Sequence, residues 1–250
     1  MATRNSATRL AVRNYPYYLN LVRDGVTAQY VDFGQSTHLN DDTQDAVTCL
    51  AWIKTTQLLS NPTMAIGFIG PTVSSSWFFT INGSFQVQAK ISNGSVADTK
   101  TSDVVLQAKH KYLVGMIYEK GSTLAAVVNN NIYSKTPIID NVKSATNFRY
   151  GTASGLTISG NYKQGACIVL KGVITQAQLN DFYYYDILPS GIDVALYTPM
   201  RDGSGTTVSD ESGNDIDGTT SGSPIWTNDG AFTLRSLAAS RTVTNSRTLV

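Results

Sequence analysis

Hydrophobic and polar residues alternate with a period of two along most of this chain. That is the spacing of a half-buried strand rather than of a helix. Tyr30-Val31-Asp32-Phe33 alternates strictly, and residues 47–54 form a longer apolar run, read as a buried strand with Trp52 near its end. Residues 77–81 and 85–89 flank Asn82-Gly83-Ser84. This predicts a hairpin in which Asn-Gly supplies the positive φ of a tight turn. Asn93-Gly94 repeats the device; both sites also fit a glycosylation acceptor, and the turn reading is preferred because no secretory signal precedes them. Residues 112–118 and 124–128 form another strand pair, turned by Glu119-Lys120-Gly121-Ser122. Residues 165–170 are apolar enough for burial on both faces.

One helix start stands out. Thr175 can cap it, and Gln178 three residues on completes a capping box, so a helix is predicted through Leu179 to about Tyr184. Residues 195–197 and 225–227 read as strands on either side of a Gly/Asp/Ser-rich loop. No long repeat and no linker divides the chain. The expected organisation is one sandwich over 20–234, an N-terminal arm over 1–19 and a C-terminal arm over 235–250.

Composition agrees with strands joined by tight turns. The chain has 250 residues, 15% charged, with thirteen Tyr and twenty Gly, and all-β sandwiches of about this length form one domain. Net charge is +1 but unevenly spread. Arg4, Arg9 and Arg13 lie in an acid-free start, and Arg235, Arg241 and Arg247 in an acid-free end. The remaining 13 Lys/Arg face 18 Asp/Glu, a net of −5 over residues 14–234. Basic ends on an acidic body suggest docking between neighbouring copies, with Tyr15 and Tyr17 beside Pro16 as further anchors. Six spread arginines with few aromatics between them make a poor nucleic-acid footprint. Cys49 and Cys167 sit in apolar strand patterns, as buried thiols or as one disulfide between sheets. No window approaches the roughly 18 apolar residues of a membrane span, and no signal peptide is evident at the start.

Residues 30–34 followed by 47–54 resemble the opening strands of laminin-G-like domains of the concanavalin A-like group. Residues 111–118 and 124–130 are similar to that family's central pair, with Asn130 in place of its turn glycine. Residues 156–160, 165–172 and 175–184 resemble its closing strand and short helix. Residues 202–218 resemble a Gly/Asp-rich segment found beside such domains in bacterial and phage proteins. The resemblance covers about 20–234. It implies an all-β, concanavalin A-like antiparallel jelly roll with one short helix, on which relatives bind glycans or proteins, and members also serve as parts of phage particles. The acidic pair often seen near 166–170 is missing here.

The chemistry follows from what is present. A glycosidase needs two carboxylates across the scissile bond. The chain has two Glu, Glu119 at a turn and Glu211 in a loop, ninety-two positions apart, and Asp41/Asp42 look like loop residues. A nucleophilic triad would have to use His38 or His110, both among polar residues. Asp210, Asn214, Asp215 and Asp217 offer hard oxygens suited to Ca²⁺ but lack the full loop spacing, and Asx turns explain the same letters. Trp77, Tyr183 and Tyr184 are the candidate glycan contacts. The expectation is a noncatalytic protein without cofactor: a phage virion component, decoration or fibre-like, held by its arms to neighbouring copies or other capsid or tail proteins. A carbohydrate-binding module of a secreted or surface protein is the alternative, and a hydrolase of the same fold the third.

Overall fold

Alternation in the sequence becomes two-sidedness in the structure. The computed structural model describes residues 17–21, 29–36, 39, 45–56, 64–69 (backbone), 77–93, 95–139, 147–151 and 162–228. Within them lie β1 (Tyr18–Leu21), β2 (Tyr30–Asp32), β3 (Ala46–Thr55), β4 (Met64–Ile69), β5 (Trp77–Ile81), β6 (Gln86–Ser92), β7 (Ala97–Val105) and β8 (Lys111–Glu119). There follow β9 (Thr123–Val128), β10 (Asn131–Lys135), β11 (Phe148–Tyr150), β12 (Tyr162–Lys171), α1 (Gln176–Tyr185), β13 (Asp193–Thr198), β14 (Thr207–Val208), β15 (Gly218–Ser221) and β16 (Ile225–Thr227).

The strands form two antiparallel sheets. The first runs β10-β9-β8-β3-β12-β1-β16, with β13 also on β12; the second runs β14-β15-β2-β11-β4-β5-β6-β7. β12 has β3 along one side, and on the other it takes β1 at 162–164 and β13 at 167–171. The β1–β16 pairing sets Tyr18 against Thr227, so the first and last strands lie side by side at one edge.

Two apolar clusters hold this arrangement. Between the sheets, Cys49, Ala51 and Ile53 of β3 and Val114 and Met116 of β8 share a core with Trp77, Phe79 and Ile81 of β5 and Val87, Ala89 and Ile91 of β6. On the outer face of the first sheet, Leu50, Trp52, Leu113, Ile117, Ala166 and Ile168 form a second cluster with Leu179 and Phe182 of α1. β12 is therefore buried on both faces, as its continuous apolar run predicts. Full burial of each large side chain is worth about 1.5–3 kcal/mol. α1 has the expected capping box: Thr175 Oγ1 accepts from the Gln178 amide at 3.2 Å, and Gln178 Oε1 accepts from the Thr175 amide at 3.0 Å. The helix ends at Asp186, whose φ of 54° stops it.

Local turn chemistry differs from the expectation in two places. Phe85 (φ 61°) carries the positive φ in the β5–β6 turn, while Asn82 contributes its side chain, accepting from the amides of Ser84 and Gln86. In the β9–β10 turn the left-handed residue is Asn129 (φ 57°) rather than Asn130. The Asn93 side chain accepts from the amides of Ser95 and Val96, the same side-chain role that Asn82 takes in its turn, and Gly94 lies outside the described residues.

Candidate functional site

The second sheet differs from the first in what it presents outward. Val31 of β2 and Phe33 just after it belong to the core, so Tyr30 and Asp32 face the other way. In β11, Phe148 and Tyr150 are core and Arg149 is not. β5 and β6 alternate in the same way, leaving Phe78, Thr80, Gln88 and Lys90 on the outer face. Strand register aligns Thr219, Asp32 and Arg149 on one side of β4 with Phe78, Lys90 and Thr99 on the other.

Asp32 and Arg149 form an ordered polar group on this face. Arg149 Nη2 lies 2.7 Å and Nε 2.8 Å from Asp32 Oδ2, each side chain being about one-fifth exposed. Asn147 Nδ2 donates to the same oxygen at 3.0 Å, and the Gly34 amide donates to Asp32 Oδ1 at 2.8 Å. The guanidinium stands 4.9 Å over the Tyr30 ring. It is thus fixed by charge on one side and by a π-face on the other. Further along, Lys90 covers the Phe78 ring at 5.7 Å, and Gln88 Nε2 donates to Thr101 Oγ1 at 3.1 Å. Thr80 is buried beside them, and its hydroxyl has no hydrogen-bond partner among the described residues. Guanidinium donors, a carboxylate acceptor, amides and rings on one half-buried face suit a hydroxyl-rich ligand, which must both donate and accept.

The predicted glycan contacts divide. Trp77 is corrected: it is 3% exposed, its ring 5.9 Å from Phe148 in the inter-sheet core, and cannot touch a ligand. Tyr183 and Tyr184 do lie at a surface, at the C-terminal end of α1. Tyr183 stacks on Trp52 with centroids 5.5 Å apart. Burial raises its pKa, with the neighbouring Tyr184 adding to the effect. Tyr184 meets Tyr183 edge-on at 4.8 Å, and Tyr185 follows at 6.2 Å. The three consecutive rings thus lie in sequence, each against the next.

The acidic loop is built from Asx bonds. Asp210 Oδ1 accepts from the amides of Tyr197 and Ser212, and Oδ2 from Ser212 Oγ and the Ile216 amide. Asp217 Oδ1 accepts from the Asp210 amide, and Asn214 Nδ2 donates to the Val194 and Ala195 carbonyls. The Asp210 carboxylate proposed for calcium is filled by four protein donors, and Asp215 sits at a turn with φ 55°. Glu211 pairs with Arg201 at 2.8 Å, and Glu119 closes β8 in the other sheet. His110 is exposed, with Nδ1 2.8 Å from the Ala108 carbonyl oxygen. His38, Asp41 and Asp42 lie outside the described residues, as do Arg4, Arg9, Arg13, Tyr15, Arg235, Arg241 and Arg247. Tyr17 is described, packed so closely on Gly203 that a Cβ there would lie 2.7 Å from its ring.

Cys49 and Cys167 occupy adjacent strands of one sheet, not two sheets. Cys167 is in register with Ala51 and Cys49 with Val169, a diagonal pair. Diagonal positions lie about 7–8 Å apart, beyond a relaxed disulfide, and both thiols are free. Burial, then the hydrogen bond with Cys167, raises the pKa of Cys49; burial, then the nearby thiols, raises that of Tyr150, whose hydroxyl bonds Cys167 Sγ. Cys49 and Tyr150 therefore stay neutral.

Sequence reasoning passed over Asp32, Arg149 and Tyr30. The signal was present in Tyr30-Val31-Asp32-Phe33 and Phe148-Arg149-Tyr150, where polar residues alternate with core residues. What was missing was the register that sets two distant strands side by side.

No family model matches the chain, and no curated protein matches it in sequence. Solved structures do match its fold. A Bacteroides ovatus protein for which carbohydrate binding has been proposed aligns with TM-score 0.66 and 16% identity, over 88% of this chain and 62% of that one. This chain therefore spans less than two thirds of that protein's length. The heptameric SAP-like pentraxin of Limulus polyphemus gives 0.53 and 10%, over 69% of this chain and 84% of its own. The CBM40 domain of the Ruminococcus gnavus IT-sialidase, bound to α2,3-sialyllactose, gives 0.51 and 11%, over 68% and 100%. The fold is the all-β, concanavalin A-like sandwich that the sequence predicts.

Proposed function

We propose that this chain is a noncatalytic carbohydrate-binding module that takes a glycan on the outer face of its second sheet, acting outside the cell or at a cell surface. The observation that carries this reading is the Asp32–Arg149 pair, locked by Asn147 and Tyr30 on the outer face of the second sheet. Such a pair presents donor and acceptor to a sugar diol without ordering long side chains on binding. The fold of the R. gnavus domain, seen with sialyllactose, supports it. Glycan-array screening of the full chain tests it, with Arg149→Gln and Asp32→Asn as controls. Binding to a glycan class that both substitutions abolish is the expected result, and binding indifferent to both would overturn the assignment.

The structural neighbours support this module over the virion component expected from the sequence, since none of the three reported is named for a particle. The arms keep a narrower role as a proposal. Tyr18 pairs with Thr227, so the first and last of the described strands adjoin at one edge, and the arginine-bearing ends lie outside the described residues. The six arginines of these ends suit an acidic surface on a neighbouring copy. Sedimentation of the full chain against a form lacking residues 1–13 and 236–250 tests this. An unchanged oligomeric state would remove it.

A further inference from the structure

We infer that the C-terminal end of α1 is a second sugar site, for a neutral hexose unit, on the opposite side of the molecule from the face proposed above and independent of it. Four aromatic rings climb from core to surface there. Trp52 is buried on the outer face of the first sheet, Tyr183 is half-buried and stacked on it at 5.5 Å, and Tyr184 and Tyr185 follow at 45% and 53% exposure. Ile187, 53% exposed, continues the surface. The solvent side of an amphipathic helix is ordinarily polar and flexible. Here it carries consecutive tyrosines whose inner member is pinned to the core.

A hydrogen bond holds the Tyr184 ring in place. Asn130 Nδ2 donates to the Tyr184 hydroxyl at 3.1 Å, joining the β9–β10 turn to the helix. Gln176 Nε2 donates to the Asn130 carbonyl oxygen at 2.8 Å and to Asn180 Oδ1 at 3.1 Å. The rings therefore border a belt of side-chain amides. Amides both donate and accept, which matches sugar hydroxyls, and the negative face of a tyrosine ring attracts the polarised C–H face of a pyranose. Charge selects the class. Asp181 is the one ionisable carboxylate in α1, and the helix has no basic residue, so a sialylated or sulfated sugar would find no counter-ion on it. A neutral hexose needs none.

The test is calorimetric titration of the full chain with four neutral tetrasaccharides, of glucose, mannose, galactose and N-acetylglucosamine. Tyr184→Ala, Tyr185→Ala and Arg149→Gln are titrated in parallel. Both tyrosines are exposed, so truncation leaves the core intact, and an unchanged melting curve verifies this. The expected result is binding of at least one tetrasaccharide, weakened about tenfold by either tyrosine substitution and unaffected by Arg149→Gln. Loss that follows Arg149→Gln alone places all sugar binding on the second sheet and overturns the site. So does binding of none of the four, even where the glycan array finds a ligand for the other face. Self-association of the full chain in sedimentation, abolished by Tyr185→Ala, would make this surface a contact between copies and overturn it as well.

Discussion

The two outer faces of the sandwich, followed along their registered rows, carry opposite chemistry. Across the first sheet the row reads Ile132–Val127–Gly115–Leu50–Ile168–Tyr197. Across the second it reads Thr219–Asp32–Arg149 and, beyond β4, Phe78–Lys90–Thr99. The first row lies in the cluster that contains Leu179 and Phe182 of α1. The second is bound together by an ion pair and cation–π contacts. One sheet thus has both faces committed to burial, which strengthens the scaffold. That leaves the other sheet free to hold polar groups in fixed positions, where they add little to stability but can select a ligand.

This division predicts that stability and binding separate by face. Phe182→Ala removes a side chain that is 1% exposed from the helix–sheet cluster, and should cost about 3–5 kcal/mol in urea unfolding while leaving glycan affinity at the second sheet intact. Gly115→Ala comes next. A Cβ there would overlap the Cys49 carbonyl oxygen and lie 2.7 Å from Leu50 Cδ2, which leans across the glycine. The expected loss is about 3 kcal/mol, again by unfolding. If either substitution erased sugar binding in a protein still folded, the two faces would be coupled and the contrast would fail.

Asp98 sharpens the comparison at the edge of the second sheet. It is 3% exposed and accepts from Lys135, and from the amides of Ile138 and Thr99 at 2.7 and 2.8 Å. Burial opposes its ionisation, but these donors prevail and lower its pKa. A carboxyl with a depressed folded pKa stabilises above its unfolded value, and that stability is lost as pH falls through the folded one. Asp98→Asn should therefore cost about 2 kcal/mol near neutrality. The gap to the parent should narrow below about pH 4, measured by unfolding at a series of pH values. A gap that stayed constant down to pH 2 would mean the carboxylate charge contributes nothing.

Arg149→Gln should do the reverse of Phe182→Ala, lowering affinity for the array-selected glycan about tenfold or more. Its effect on stability should stay within about 1 kcal/mol, because the pair is partly exposed. Much of the frame behind this contrast was legible in the sequence. β5 and β16 have the predicted bounds, and the capping box at Thr175 and Gln178 is present. β7 is not legible because Ala97–Val105 reads ADTKTSDVV, an edge strand whose fully buried inward positions are Asp98 and Ser102, with Val104 only partly buried against the core. Trp77 looked like a ligand contact because an aromatic in a strand does not declare which face it takes. Its neighbours Phe79 and Ile81 share its phase and place it inward. The Asp32–Arg149 pair joins residues 117 positions apart, and no local pattern encodes that distance.

The smallest effect bears on how the first face gains its cover. α1 is ten residues long, too short to be stable alone in water, so packing must hold it on the sheet. Thr175→Ala removes the hydroxyl that accepts from the Gln178 amide, and with it one half of the capping box. The expected cost is about 1 kcal/mol, well below that of Phe182→Ala, with no change at Arg149. The two substitutions act on the same helix, one at its hydrogen-bonded end and one at its buried face. If the cap proved as costly as the phenylalanine, the helix would owe its place to its own start signal, and the apolar outer row of the first sheet would need another explanation.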